Sequence, residues 1–192
     1  MPQSRDNQPF RAAWEPTGYD TWMVVLMRDH FTSDSIRYAI ERIPPREYLA
    51  MSYFERVIVG VASVYVERRI LSREDLERRA GGIFPLARPL PVADTGSRNT
   101  SEFGLGDSVL VKHFPTQGHS RVPRYVWGKR GRVIGVGPIG HFPGQAAYNN
   151  LADGWRERTY RVCFDSQHLW PDVEDQASVV VDLFQSYLQL EK

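Results

Sequence analysis

Ser108-Val-Leu-Val-Lys-His113 reads as a strand, with Val109 and Val111 two apart on one face. Three later stretches read the same way: Gly131-Arg-Val-Ile-Gly135, Thr159-Tyr-Arg-Val-Cys-Phe164 and Ser178-Val-Val-Val-Asp-Leu-Phe184. Gly and Pro clusters separate them, as turns require. Four or five strands this short predict a small closed barrel, because closure hides both edges of the sheet. The period changes at Phe103; upstream the spacing is different.

Residues 10–80 read as helical. Tyr19 to Arg28 is nearly all apolar after a break at Gly18, which predicts a short buried helix. Thr32-Ser-Asp-Ser35 opens the next helix, with a hydroxyl placed to accept from free first-turn amides. Ile36, Ile40 and Ile43 make its apolar stripe, and Pro44-Pro45 stops it. A longer helix is expected from roughly Arg46 to Ile70. Gly60 lies inside it at a cost of ~1 kcal/mol against Ala, which points to close approach by another backbone. Ser72 opens a last short helix with acids in its first turn, and Gly81-Gly82 closes it. The fold class is therefore α+β. A helical N-terminal domain is expected over 1–82, a linker stiffened by Pro85, Pro89 and Pro91 over 83–102, and the barrel over 103–192.

The composition narrows the function. The chain has 192 residues, 42% apolar and 24% charged, with a net charge of +1. That balance argues against a nucleic-acid surface. No run approaches the ~18 apolar residues of a membrane span. Met1 to Pro9 is polar and lacks an apolar signal core, so a cytoplasmic protein is expected. Cys163 is the sole cysteine, which excludes an intramolecular disulfide, an iron–sulfur cluster or a thiolate metal site from this chain alone.

Single motifs carry little. Gly135-Val-Gly-Pro-Ile-Gly140 matches a dinucleotide fingerprint, but Pro138, Pro143 and Gly144 oppose the helix such a site needs, so a plain turn is expected. His30, His113, His119, His141 and His168 show no helical metal-ligand spacing. His119 reads as a structural hydrogen-bonder, and Cys163 as a buried, inert thiol. On spacing alone, Arg37 is a surface ion pair with Glu41 a turn later, and Arg121 a solvated loop charge.

Longer strings carry more. Phe10-Arg-Ala-Ala-Trp-Glu15, then Ile36-Arg-Tyr-Ala-Ile-Glu-Arg-Ile-Pro-Pro-Arg-Glu-Tyr-Leu49 and Ser52-Tyr-Phe-Glu55, resemble the β subunit of nitrile hydratase. Gly118-His-Ser-Arg-Val-Pro-Arg-Tyr125 with Gly128-Lys-Arg-Gly-Arg-Val133 is similar to that family's barrel signature. Tyr160-Arg-Val-Cys-Phe164, Leu169-Trp170 and Val181 to Leu188 continue it in the same order.

The resemblance implies a helical part followed by an SH3-like barrel, in a subunit of a hetero-oligomeric hydro-lyase that hydrates a small nitrile to an amide. It implies a cobalt(III) or iron(III) ion held wholly by a Cys-rich α subunit, with cobalt favoured and no metal bound by this chain. Two of the α subunit's cysteines are oxidised to sulfinate and sulfenate. Arg37 and Arg121 match the family arginines that grip these oxygens, and Tyr53 matches a tyrosine at the substrate pocket. Phe31 and Trp22 stand either as pocket wall or as core. The nucleophile is the sulfenate oxygen or an activated water. The start of the chain lacks the family's Gly-rich arm, which leaves room for a third small subunit. The resemblance also admits a thiocyanate hydrolase-type subunit or a non-catalytic activator that delivers metal.

Overall fold

A computed structural model describes residues 9–28, 31–91, 100–113, 118–148, 155–173 and 176–191. The expected sites at His30 and in Asp94–Ser101 fall wholly or partly outside these residues. The chain divides into two compact units, residues 1–91 and 92–192.

The first unit is helical: α1 (Glu15–Met27), α2 (Ser33–Glu41), α3 (Pro45–Ala50), α4 (Tyr53–Glu67) and α5 (Arg73–Ala80). Two expectations need correcting. Gly18 does not break α1, which runs through it from Glu15. Gly18 is buried, and a Cβ there would meet the Trp14 ring at 3.2 Å and Ile58 at 3.6 Å, so it serves packing. The expected helix over Arg46–Ile70 is two helices. Met51 is extended, and Ser52 starts a new helix through a capping box: its Oγ accepts from Glu55 N at 3.4 Å, while Glu55 Oε2 accepts from Ser52 N at 2.6 Å.

Val25, Phe31, Ile36, Ala39, Ile43, Val59 and Val64 form the core of this unit. Helix α2 lies directly on α4 at Gly60, where a Cβ would meet Ile40 Cγ1 at 2.7 Å and Ile36 O at 3.2 Å. The close approach expected from that glycine is therefore present. Arg42, at the end of α2, grips Glu67 of α4 at 2.6 and 3.1 Å and also donates to Arg88 O. Ala87 N donates to Ser63 Oγ at 2.8 Å, which fastens the segment after α5 to α4. Gly81 ends α5 in the left-handed conformation, φ +76°.

The second unit is an antiparallel five-stranded sheet. Its elements are β1 (Ser108–Val111), β2 (Arg130–His141), the one-turn helix α6 (Pro143–Ala146), β3 (Arg156–Asp165), the one-turn helix α7 (Ser166–Leu169), β4 (Ser178–Phe184) and β5 (Leu188–Leu190). The order is β4-β3-β2-β1-β5. Val109, Val111, Tyr160, Val162, Phe164 and Leu183 point into one core, as the alternation requires.

Closure is where the sheet departs from expectation. Among the described residues, β4 pairs with β3 and β5 with β1, and the ladder does not join β4 to β5. Yet these end strands are linked only by the 3₁₀ turn Gln185–Tyr187. From Phe184 to Leu188 the chain reaches roughly 14 Å at most. Five strands laid flat would hold the end pair roughly 19 Å apart. The sheet must roll, and the turn spans its open seam. The glycine run also differs from the expected plain turn. Gly135 to Gly140 lies inside β2, which slips register between Val133 and Gly135 and between Val136 and Ile139. A Cβ at Gly137 would strike Thr159 Oγ1 on β3, so this glycine serves strand contact.

Candidate functional site

Arg37 owes its place to how α2 starts. Thr32 Oγ1 accepts from Ser35 N at 3.0 Å and fixes the first turn. Ile36 and Ile43 then turn inward, which leaves Arg37 on the outer face with its side chain 46% exposed. Its Nη1 lies 3.3 Å from Asp34 Oδ1 and donates to Ser33 Oγ at 3.2 Å. The ion pair thus runs one turn back to Asp34, where the spacing pointed forward to Glu41.

Tyr53 is the first residue of α4 and is 61% exposed. Its ring meets Phe54 edge-on at 5.1 Å. Phe54 contacts Tyr19, and Tyr19 contacts Trp22 at 6.1 Å, so Trp22 and Tyr53 end one aromatic chain. Trp22 is half-buried against the helical core. Phe31 is 5% exposed, inside that core, with its ring 5.0 Å from Tyr65. Packing accounts for the position of Phe31.

Arg121 belongs to the other unit, on the loop Gly118–Pro123. Both flanks of this loop are anchored: His119 is 4% and Val122 6% exposed. Trp127 Nε1 donates to Val122 O at 3.1 Å, and Arg121 N donates to the Tyr187 hydroxyl at 3.4 Å. The Arg121 side chain itself is exposed. An anchored loop therefore carries a cation at its surface.

Sequence reasoning missed two features. Asp34 was visible three positions before Arg37, a standard helix spacing. The polar group formed by buried Glu157 and Ser186 with half-buried Lys112 was not visible, because long-range folding assembles it. Burial holds the Lys112 amine below the ordinary lysine range, and Glu157 partly restores it.

Cys163 corrects another expectation. It is half-buried, not buried, and lies opposite Arg132 on the outer face of the sheet. It lines an open cleft of about 440 Å³ with Arg130, Arg132, Asp165 and His168. Among the described residues, no three His, Cys, Asp or Glu side chains converge to hold a metal ion. Nor is any described helix long and apolar enough to cross a membrane.

A helical unit followed by a rolled sheet, with Arg37 exposed on the first and Arg121 on the second, makes a two-part α+β chain in which no described residues cluster to hold an ion. Its sequence places it. Residues 1–95 match the family model described as nitrile hydratase beta subunit, N-terminal, and residues 92–190 match the corresponding C-terminal model. The chain is 38% identical over 192 residues to nitrile hydratase subunit beta of Rhodococcus erythropolis, covering 94% of this chain and 86% of that one. It is 34% identical to the namesake from Pseudomonas chlororaphis, covering 94% and 83%. It is 29% identical to the cobalt-containing nitrile hydratase subunit beta of Pseudonocardia thermophila, covering 96% and 88%. The chain belongs to the nitrile hydratase β-subunit family. A thiocyanate hydrolase apo-enzyme from Thiobacillus thioparus is similar at TM-score 0.43 and 23% identity over 48% of this chain and 78% of that one, too loosely to carry an argument.

Proposed function

We propose that this chain is the non-metal half of a nitrile hydratase, a hydro-lyase assembled with a Cys-rich α subunit into a hetero-oligomer. The observation that supports it best is that both halves of the β subunit match in one chain, in order, across nearly its whole length. We read the sheet unit as the family's SH3-like barrel, rolled as the Gln185–Tyr187 link requires. Residues 83–102 are its connector to the helical part, and a cytoplasmic setting remains our reading.

Among the described residues, no three His, Cys, Asp or Glu side chains cluster for direct ligation of an ion. Arg37 and Arg121 suit contact with anionic ligands held by a partner. Oxidised cysteine oxygens in a dry interface need cationic donors, since a buried anion left alone costs several kcal/mol. A guanidinium stays charged and offers a planar fork of donors. Arg37 and Arg121 would each donate to such oxygens, orient them and set their protonation. Arg37 is ready for this, because its present partner Asp34 is on its own helix and the pair is exposed. Tyr53, at an exposed helix start, would hydrogen-bond in a substrate pocket. Trp22 supports it through the aromatic chain. When bound to the α subunit, the cobalt or iron ion supplies Lewis acidity toward the nitrile nitrogen. Cobalt is favoured, as in the Pseudonocardia relative's name. A third small subunit stays part of the proposal.

Co-producing the chain with a Cys-rich nitrile hydratase α chain tests this reading. A coloured complex that forms amides from nitriles supports it. Hydrolysis of thiocyanate without nitrile hydration contradicts it, and two chain types alone by intact mass would end the third-subunit idea.

A further inference from the structure

The buried polar groups of the sheet unit form a connected set that ends beneath Arg121. Glu157, on β3, is 3% exposed. Its carboxylate accepts from Ser186 N at 3.0 Å, Ser186 Oγ at 2.6 Å and Trp155 Nε1 at 3.2 Å. Lys112 holds the same turn from the other side. Its backbone N donates to Tyr187 O at 2.9 Å and its Nζ to Ser186 O at 2.8 Å. The 3₁₀ turn that bridges the seam of the sheet is thus held between a buried anion and a half-buried cation. Tyr187 closes that turn. It is 2% exposed, its ring packs 5.0 Å from Phe142 and 6.1 Å from Phe184, and its hydroxyl accepts the Arg121 N–H.

We propose that Glu157 and Tyr187 are positioning residues for Arg121: the carboxylate fixes the turn, the turn fixes the tyrosine, and the phenol oxygen fixes the loop amide from which the guanidinium projects. The proposal rests on the reading of Arg121 given above. An apolar side chain at position 157 would fill the same space without desolvating a charge, but it would release the turn. A side chain that must meet a partner's oxygens needs its backbone held, because small misplacements of a catalytic group are expensive in rate.

The test uses the full-length chain co-produced with its Cys-rich partner, and the variants Tyr187→Phe and Glu157→Gln. Tyr187→Phe should raise amide hydrogen exchange across residues 118–123 and lower kcat by about 10- to 100-fold, with KM unchanged. Glu157→Gln should move both readouts the same way. Wild-type exchange in the loop of Tyr187→Phe would overturn the proposal, whatever the rate. Arg121→Ala, assayed in parallel, separates the two possible failures. If that variant is inactive while the Tyr187→Phe loop stays tight, the brace is refuted alone. If it turns over normally while the loop loosens, the functional role of Arg121 is refuted and the proposal falls with it.

Discussion

Arg37 Nη1 lies 3.3 Å from Asp34 Oδ1, one turn back along the same helix. The arginine is 46% and the aspartate 17% exposed at the side chain. A pair this open is worth at most ~1 kcal/mol, so it orients the guanidinium without locking it. A partner's anionic oxygen in a drier setting would compete well for the same donors.

Replacing Arg37 with Lys keeps the charge and removes the fork. Turnover of the assembled complex should fall by about 10- to 100-fold while gel filtration still shows assembly. Near-normal rates would remove Arg37 from the site. Asp34→Asn, by contrast, should leave the thermal midpoint of the chain almost unchanged.

Gly60→Ala should destabilise the helical unit. Alanine gains ~1 kcal/mol of helix propensity. Its methyl, however, would press on Ile40 Cγ1 at 2.7 Å and on the Ile36 carbonyl at 3.2 Å. Overpacking of this kind costs ~1–3 kcal/mol. Denaturant unfolding should show a net loss; a gain would mean that α2 shifts away freely.

Ser52→Ala removes the hydroxyl that accepts from Glu55 N. Loss of such a cap costs about 0.5–2 kcal/mol. The effect should appear in urea unfolding and disappear in Ser52→Asp, which restores an acceptor.

Lys112 predicts a pH dependence. Its folded pKa is lowered by burial, with Glu157 opposing. Between the folded and unfolded values the unfolded chain binds more protons, so the contribution of Lys112 to stability rises with pH in that window. Below the folded value both states are charged and the burial penalty is at its fullest. Stability relative to Lys112→Met should therefore improve as pH climbs through the lowered value toward the ordinary lysine range. A flat difference would contradict the burial of the amine.

Much of this fold was legible in the sequence because it is local. Thr32 and Ser72, by a capping hydroxyl, and Gly81, by its left-handed backbone, announce helix ends within four residues, and the structure uses all three. Ser52-x-x-Glu55 was equally legible as a helix start, but the apolar spacing from Arg46 to Ile70 continues across it and hides the break. The inward set Tyr160, Val162 and Phe164 followed from alternation alone. Features made by distant segments were not legible. The slipped register of β2 depends on Gly137 meeting Thr159, and the grip of Glu157 on Ser186 joins residues 29 positions apart. At the candidate site, the outward facing of Arg37 was readable from the isoleucine stripe. The support beneath Arg121 was not, since it arises only when the last turn crosses the seam.

The central claim is that this chain lends cationic donors to oxidised sulfur held by another subunit. The most direct test is infrared or X-ray absorption spectroscopy of the oxidised sulfurs in the assembled, metal-loaded complex, comparing wild type with Arg37→Lys and Arg121→Lys. The account predicts altered sulfur–oxygen signatures in both variants with metal content retained. Identical spectra in all three proteins would contradict it.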